Sequence, residues 1–365
     1  MKYLGLHIKT IIATYNGTTP LAHFLKGYFK QYPILGSRDR KILSTLAYTY
    51  YRIGKGTDNK EWPDTLMATM TADKQYQPDI PDWLRQHEAL RFNISKLFPY
   101  DTPLSNGITR EEWLRSMLTQ PALFIRIRKN KDKIVNLLSK HNIVHHFISD
   151  HCLSLPNGAK IDDILPKDSY VVQDASSQKT GEYFHPVAKE QWYDCCSGAG
   201  GKSLLLKDIL PSVQLTVTDI RENIIHNLKE RFRQYGLPVP ETHVTNVSDK
   251  EALKQAFGVK KFDHIICDVP CSGSGTWART PEQMYFFDAE NINKFSILQE
   301  QIATNAAGLL KEDGTLIYIT CSVFKQENEE VVAALLKNTG KKLIEQKTIK
   351  GIDIQADSMF IAIIA

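Results

Sequence analysis

The first hundred residues place apolar side chains at helical spacing. They recur every three or four positions over residues 21–29 and again over residues 42–53, the interval at which side chains share one face of a helix. Ser37 stands just before the second run, where it is predicted to act as the helix N-cap. The pattern predicts a small helical bundle over residues 1–104.

Shorter elements of mixed type are predicted over residues 105–168. In the first of them apolar residues alternate with Arg126 and Arg128, a pattern typical of a strand that directs its arginines outward. The predicted elements are a strand over 121–128, an amphipathic helix over 132–141 and a strand over 143–147. Together they indicate a small α+β module with a basic edge.

From residue 169 to residue 365 predicted strands and helices alternate. The strands are predicted over 191–195, 214–218, 242–245, 264–267, 314–320 and 360–364. Helices are predicted between them, for example over 220–235, 297–310 and 327–337. Such alternation predicts an α/β, doubly wound and mostly parallel sheet, with its first five strands in the order 3-2-1-4-5.

Composition and charge bear on whether the protein binds a metal, spans a membrane or binds a polyanion. The chain is 42% hydrophobic and 24% charged, and its six cysteines show no zinc-binding spacing, so we expect a reduced cytoplasmic protein with no metal and no membrane span. Residues 1–150 hold 22 Lys and Arg against 13 Asp and Glu, a net charge of +9, whereas the rest carries −5. This asymmetry predicts a polyanion-binding region, although solvated faces could produce it by chance. The predicted contacts are Arg126, Arg128, Lys129, Lys131 and Lys133.

A glycine-rich turn over residues 194–203 joins a predicted strand to a predicted helix. Glycines let a ligand approach the backbone, and a helix N-terminus presents N–H donors. Cys196 stands where a phosphate-binding loop needs its first glycine, which disfavours such a loop. The next strand ends at Asp219, where a carboxylate commonly bonds ribose hydroxyls, or where it acts as a helix cap. The combination indicates a nucleoside ligand, although the turn alone is equally compatible with a purely structural role.

Two cysteines stand among small polar residues at the ends of predicted strands. Cys271 follows the fourth strand and Cys321 follows the fifth, and these strand ends are neighbours in the predicted order, so both thiols are expected to face one crevice. Such a pair indicates one thiolate that attacks a substrate and a second thiol that helps to release it. Packing is the alternative, and we favour it for Cys195 and Cys267.

Four ordered blocks resemble the Nop2/Sun, or RsmB-type, RNA cytosine-5 methyltransferases. They are residues 173–178, the turn at 194–203, Asp-Val-Pro-Cys-Ser-Gly at 268–273 with Arg279 and Pro281-Glu282, and Tyr-Ile-Thr-Cys-Ser at 318–322 with Glu-Asn-Glu at 327–329. The helix around residues 38–40 is similar, more loosely, to the NusB-like domain of the rRNA-modifying branch. The resemblance implies a NusB-like helical domain over 1–104, an RNA-facing α+β module over 105–168 and a Rossmann-like class I methyltransferase domain over 169–365.

The resemblance also implies S-adenosyl-L-methionine as the cofactor and a role for individual residues. Cys321 is then the nucleophile toward cytosine C6, and Cys271 assists product release. Asp268 bonds the pyrimidine edge, and Lys202 lies near both cofactor and base. The implied cofactor-binding residues are Cys196, Ser197, Gly198, Ala199, Gly200, Gly201, Lys202, Asp219, Asn246 and Asp268.

The sequence departs from the family pattern at three places. Residues 197–199 are Ser-Gly-Ala where the family has Ala-Ala-Pro, Asn246 replaces an acidic residue, and Ser358 replaces a glycine. None of these positions is one of the paired cysteines, so we expect an active enzyme. We also expect a monomer that acts on RNA, ribosomal RNA in particular. Two alternatives stay open: the same chemistry on tRNA, and a catalytically idle RNA-binding factor of ribosome assembly.

Overall fold

The computed structural model describes residues 2–59, 61–72 and 79–365, and the chain separates into two compact units. The helical unit comprises Met1–Thr102, Thr109–Gln120 and Thr276–Ala289, and the α/β unit comprises Pro103–Ile108, Pro121–Gly275 and Glu290–Ala365. Two segments that the sequence assigned to downstream domains, Thr109–Gln120 and Thr276–Ala289, therefore group with the helices. The three-domain division itself stays a prediction.

The helical unit forms where the apolar periodicity predicted it. Its helices are α1 (Lys2–Thr14), α2 (Leu21–Gln31), α3 (Ser37–Ile53), α4 (Trp62–Ala72), α5 (Ile80–Gln86) and α6 (Arg110–Met117). Helix α3 begins at Ser37 itself, and its N-cap is Gly36 with no side-chain bond. The prediction of Ser37 as N-cap is wrong by one position, because the serine adopts the helical conformation.

The segment Thr276–Ala289 packs its aromatic side chains into the helical unit. The ring centroid of Tyr51 lies 5.2 Å from that of Tyr285 and 5.7 Å from that of Phe286. Glu282, only 2% exposed, accepts a hydrogen bond from the N–H of Leu21 at 3.2 Å. These contacts explain why the segment belongs with the helices.

A four-stranded antiparallel sheet begins the α/β unit. Its elements are β1 (Leu123–Ile127), α7 (Lys131–Lys140), β2 (His146–Ser149), β3 (Cys152–Leu155) and β4 (Tyr170–Val172), and the strand order is β2-β3-β1-β4. Strands β3 and β4 were not predicted. They have only four and three residues, too few for alternation of apolar and polar residues to distinguish them.

Arg126 of β1 and Arg128, which follows the strand, are buried, so the prediction that they face solvent is wrong. The side chains of Arg126 and Arg128 are 6% and 8% exposed and lie 2.6 and 2.7 Å from the carboxylate of Asp208. Arg126 also donates to the side-chain oxygen of Gln173 at 2.9 Å. Asp208 is about eighty positions away in the chain, which is why local alternation could not reveal the pairing.

The remainder of the α/β unit is a seven-stranded sheet with helices on both faces. Its strands are β5 (Gln191–Asp194), β6 (Gln214–Asp219), β7 (Glu241–Val244), β8 (Phe262–Asp268), β9 (Leu310–Thr320), β10 (Leu343–Ile349) and β11 (Met359–Ile364). Its helices are α8 (Ala175–Lys179), α9 (Gly201–Ile209), α10 (Glu222–Gln234), α11 (Lys250–Phe257), α13 (Glu290–Ala307) and α14 (Glu329–Thr339). Helix α12 (Pro281–Tyr285) belongs to the helical unit. Short 3-10 turns occur at Gly54–Gly56, Glu88–Leu90, Ile94–Leu97, Thr180–Tyr183, Lys325–Glu327 and Ile352–Ile354.

The strand order confirms the Rossmann-like prediction. It runs β10-β11-β9-β8-β5-β6-β7, so the five parallel strands β5 to β9 have the predicted order 3-2-1-4-5, and β10 and β11 add an antiparallel edge. Cys195 and Cys267 are fully buried in one core cluster with Tyr193, which confirms that they pack the core. None of the described helices combines the length and the apolar character that crossing a bilayer requires.

Candidate active site

The predicted site residues meet at one edge of the parallel sheet. Strands β5, β6 and β8 end at Asp194, Asp219 and Asp268, and β9 ends at Thr320. In open α/β sheets this carboxyl edge is where ligands bind. The glycine-rich turn follows β5, Cys271 follows β8 and Cys321 follows β9, so the topology brings both predicted chemistries to the same edge.

The glycine-rich turn owes its shape to two glycines with positive φ. Gly198 has φ +51° and Gly200 has φ +80°, a region that other L-residues rarely adopt. Ser197 donates its N–H to the Thr218 carbonyl at 2.9 Å, and the N–H of Gly198 donates to Asp219 Oδ2 at 3.2 Å. Gly200 is the N-cap of α9 and provides no side-chain bond, so N–H groups of the first helical turn remain to meet an anionic or polar ligand group.

Both carboxylate oxygens of Asp219 accept hydrogen bonds. Its side chain is 7% exposed, and Oδ1 accepts from both the backbone N–H and Nε of Arg221 at 2.9 Å. Burial raises the pKa of Asp219, but the hydrogen bonds and charge of Arg221 and the hydrogen bond from Gly198 together outweigh burial and hold the pKa below its ordinary value. The cap of α10 is Arg221, so Asp219 is not that helix's cap. A ribose diol would compete with Arg221 for this carboxylate.

Asn246 lies past the end of β7 and is exposed. Its Oδ1 accepts from the N–H of Ser248 at 3.1 Å and from the hydroxyl of Ser248 at 2.8 Å. The asparagine therefore shapes the turn that leads into α11. An acidic residue here would offer a further carboxylate at the edge, and Asn246 offers a neutral amide instead.

Lys202 and Asp268 form a partly buried ion pair. Nζ of Lys202 lies 2.5 Å from Oδ2 of Asp268, and the two side chains are 9% and 30% exposed. Burial lowers the pKa of Lys202, but the charge and hydrogen bond of Asp268, together with the charges of Cys321 and Asp194, outweigh burial and the pKa lies above its ordinary value. The ammonium group therefore stays charged, and the carboxylate keeps some access to solvent.

Asp194 stands next to this pair and is 1% exposed. Its Oδ2 accepts from the hydroxyl of Ser203 at 2.6 Å, whereas Oδ1 has no partner among the described residues. Burial raises the pKa of Asp194 to about 7, despite the hydrogen bond from Ser203. The site thus contains a carboxyl group that titrates near neutral pH, which the sequence did not predict.

The two predicted cysteines lie in direct contact. Cys271 Sγ is 3.2 Å from Cys321 Sγ. The hydrogen bond with Cys321 and burial raise the pKa of the Cys271 thiol well above its ordinary value. Gly275 holds the two loops together, because its N–H donates to the Cys321 carbonyl at 2.9 Å. A Cβ at Gly275 would lie 2.0 Å from the carbonyl oxygen of Ser358, so a larger residue cannot take its place without movement.

Glu327 is a site residue for which no role was predicted. It is fully buried and accepts hydrogen bonds from the N–H of Ser272 and the hydroxyl of Ser322, both at 2.8 Å. Asn328 donates to the Ser322 carbonyl at 2.9 Å. The only sequence signal was its place in the Glu-Asn-Glu block, and an acidic residue just before a helix is ordinarily explained by the helix dipole.

This arrangement can perform nucleophilic chemistry beside a bound nucleoside-like ligand. Paired thiols next to a charged ammonium group provide a nucleophile and an assisting group. The turn N–H groups and the carboxylates of Asp219 and Asp268 supply donors and acceptors suited to a polar ligand with a sugar. No cluster of three or more His, Cys, Asp or Glu in the described part of the chain is arranged to hold a metal ion.

Known proteins resemble this chain in sequence. The family described as 16S rRNA methyltransferase RsmB/F matches residues 182–362. The ribosomal RNA small subunit methyltransferase B of Proteus mirabilis is 30% identical over 231 residues, which cover 60% of this chain and 53% of the relative. The Klebsiella pneumoniae protein of the same name is 27% identical, with 60% and 52% covered. The match thus spans about half the length of these curated relatives.

Solved structures share the fold. The crystal structure of PH0851 superposes with a TM-score of 0.71 at 18% identity and covers 95% of this chain and 94% of that one. NSun6 from Pyrococcus horikoshii, solved with SFG, gives a TM-score of 0.61 at 15% identity, with 70% and 93% covered. At these identities the likeness concerns the fold alone. The family match and the curated relatives show that the chain belongs to the Nop2/Sun, RsmB-type family of methyltransferases.

Proposed function

We propose that the protein is an S-adenosylmethionine-dependent RNA cytosine-5 methyltransferase that acts on small-subunit ribosomal RNA. The observation that supports this most directly is the 3.2 Å contact between Cys271 Sγ and Cys321 Sγ beside the Lys202–Asp268 ion pair. Cytosine C5 is a poor nucleophile, and addition of a thiolate to C6 is a way to activate it. The names of the relatives favour ribosomal RNA as the substrate.

The glycine-rich turn fits the proposed cofactor. Its positive-φ glycines and the uncapped start of α9 expose N–H donors, and carboxylates of Asp219 and Asp268 flank it. Cys196, Ser197, Ala199, Gly201 and Asn246 complete the proposed cofactor-binding set. S-adenosylmethionine, when bound, supplies an electrophilic methyl group. The departures at residues 197–199 leave the turn intact, because Gly198 and Gly200 adopt the backbone conformation that it needs.

Cys321 is the proposed nucleophile. Its thiolate forms a bond to C6, and the electrons of the C5–C6 double bond move toward C5, which becomes able to accept a methyl group. Asp268 hydrogen-bonds the pyrimidine edge, and the charged Lys202 stabilises negative charge that develops on the ring. After methylation the C5 proton leaves to water, the double bond reforms and the bond from C6 to sulfur breaks. Cys271 donates its S–H to the departing thiolate of Cys321.

Cysteine variants and RNA adducts test this division of roles. Cys321→Ala should abolish methylation and form no covalent adduct, because the attacking sulfur is missing. Cys271→Ala should still attack but stall at release, so a protein–RNA adduct should accumulate and survive denaturing electrophoresis. Cys152→Ala is the control, since Cys152 is a buried cysteine of β3 away from the edge, and should methylate normally.

An RNA adduct with Cys321→Ala and none with Cys271→Ala would assign the nucleophile to Cys271. Full activity in both variants would exclude the covalent mechanism and leave both thiols as packing groups. Purified small ribosomal subunits and total tRNA, offered separately, distinguish the two RNA classes, and bisulfite sequencing of RNA from a knockout strain locates the base. An idle assembly factor would bind RNA but give no heat of S-adenosylmethionine binding in calorimetry.

A further inference from the structure

The carboxylate of Glu327 connects the two cysteine loops. Oε2 accepts from the N–H of Ser272, the residue after Cys271, at 2.8 Å. Oε1 accepts from the hydroxyl of Ser322, the residue after Cys321, also at 2.8 Å. Gln299 donates to Oε2 at 2.9 Å and so completes a set of neutral donors.

These donors also bind one another. The hydroxyls of Ser272 and Ser322 lie 3.2 Å apart, and that of Ser274 lies 3.1 Å from Ser322 Oγ. Gln299 donates to the carbonyl of Pro270 at 3.0 Å, the residue just before Cys271. Glu327 is therefore at the centre of a network that fixes both loops, and within the described part of the chain no cationic side chain pairs with it.

The charges around the thiol pair are arranged asymmetrically. Glu327 is hydrogen-bonded to both cysteine loops, but it meets the Cys271 loop at the backbone N–H of Ser272 and the Cys321 loop only at the side-chain hydroxyl of Ser322. Its negative charge adds to the effects of Cys321 and of burial that raise the pKa of Cys271. The charge of Lys202 interacts with Cys321: burial lowers the pKa of Lys202, and the charge and hydrogen bond of Asp268 together with the charges of Cys321 and Asp194 raise it. Cys271 thus interacts with a buried anion and Cys321 interacts with a cation.

We propose that Glu327 is the positioning residue that decides which cysteine attacks, because its buried carboxylate keeps Cys271 in the S–H form and leaves Cys321 as the nucleophile. This inference rests on the proposed function. An electrostatic role for Glu327 also explains why a carboxylate, and not an amide, is buried among neutral donors. Burying a charge costs more free energy than burying an amide of the same shape. A purely structural connector would not need the charge.

Glu327→Gln removes the charge and keeps the shape. The amide oxygen can accept from Ser272 and Gln299, while the amide nitrogen donates to Ser322, whose own hydroxyl can donate to Ser274. Each variant is alkylated with iodoacetamide across a pH series, to low conversion, and mass spectrometry locates the label. In Glu327→Gln the pH of half-maximal alkylation of Cys271 should fall by about one unit or more. The groups facing the pair, namely Lys202, Asp268 and Asp194, are unchanged.

Glu329→Gln is the matched control. Glu329 belongs to the same block but accepts from the hydroxyl of Ser105 at 2.8 Å and the N–H of Asn106 at 2.9 Å, outside the cysteine loops. It should leave the alkylation profile of Cys271 unchanged. The wild-type chain gives a second measurement that needs no variant to fold: near pH 8 the first label should go to Cys321.

The alkylation assay needs neither RNA nor cofactor, so it is independent of the proposed function. An unchanged Cys271 profile in a folded Glu327→Gln protein would overturn the role of Glu327, even if methylation is confirmed. Preferential labelling of Cys271 in the wild type would overturn it too. A lowered Cys271 profile in a chain that methylates no RNA would support the electrostatic role and refute only the proposed reaction.

Discussion

Asp208 is the residue whose loss should most clearly separate the structural from the RNA-binding interpretation of Arg126 and Arg128. Its carboxylate is 15% exposed and lies between the guanidinium groups of Arg126 and Arg128, at 2.6 and 2.7 Å. Asp208→Ala leaves two cations side by side in a buried setting. Burial already lowers the pKa of Arg126, and one of its nitrogens has no partner among the described residues.

The magnitude follows from the burial of the pair. Removal of one partner from a buried ion pair costs about 3–5 kcal/mol, because the remaining charge is left without compensation. Here two cations lose one anion, so we expect the upper part of that range. A domain is typically stable by about 5–15 kcal/mol, which makes this a large part of the total. Arg128 keeps bonds to the carbonyls of Asp168 and Tyr235, and these limit the loss.

Urea unfolding monitored by circular dichroism measures the effect, with Asp168→Ala as the matched control. Asp168 pairs with Lys129 at the surface, where the side chains are 45% and 50% exposed, and solvent screens such a pair. A folded Asp208→Ala protein as stable as Asp168→Ala would refute the buried-network reasoning. It would also restore the interpretation in which Arg126 and Arg128 are available to RNA.

Two further changes test the carboxylates of the site. Asp194 has a pKa raised to about 7 by burial, so the folded state holds its proton more tightly than the unfolded chain and the wild type loses stability as the pH rises toward and through that value. Relative to Asp194→Asn, the wild type should therefore lose roughly 2 kcal/mol between about pH 5.5 and about pH 8, and equal losses in both proteins would contradict this. Asp219→Ala should weaken S-adenosylmethionine binding by roughly 1.5–3 kcal/mol in calorimetry, and unchanged affinity would show that Asp219 serves only the turn.

The sequence predicted the site through strand order. Ends of neighbouring parallel strands must meet at one edge, so Cys271 and Cys321 could be brought together without any knowledge of their contacts, and the structure places their sulfurs 3.2 Å apart. The prediction was possible because the core strands are short apolar runs, buried on both faces. Strand β10 was not predicted because it lacks this property: five of its seven residues are exposed at the edge of the sheet.

Contacts between residues far apart in the chain could not be predicted. Glu327 accepts hydrogen bonds from the two cysteine loops, and nothing in the sequence of those loops indicates that a buried carboxylate contacts them. Asp194 looks like any acidic residue at a strand end until its burial is known. In both cases the chemistry depends on whether a carboxylate is buried and which donors surround it, and neither property has a local sequence pattern.

The same limit applies to the basic N-terminal region. Its net charge of +9 includes buried and exposed cations equally. Arg52, however, is 2% exposed and donates to the carbonyl of Met117 at 2.5 Å. Arg126 and Arg128 form ion pairs with Asp208. Guanidinium groups buried in this way release no counterions when a polyanion binds, so they add nothing to the salt dependence of RNA affinity. Any RNA contact in this region must therefore come from exposed cations, such as the lysines that begin α7, and the number of phosphates neutralised should be smaller than the sequence suggests.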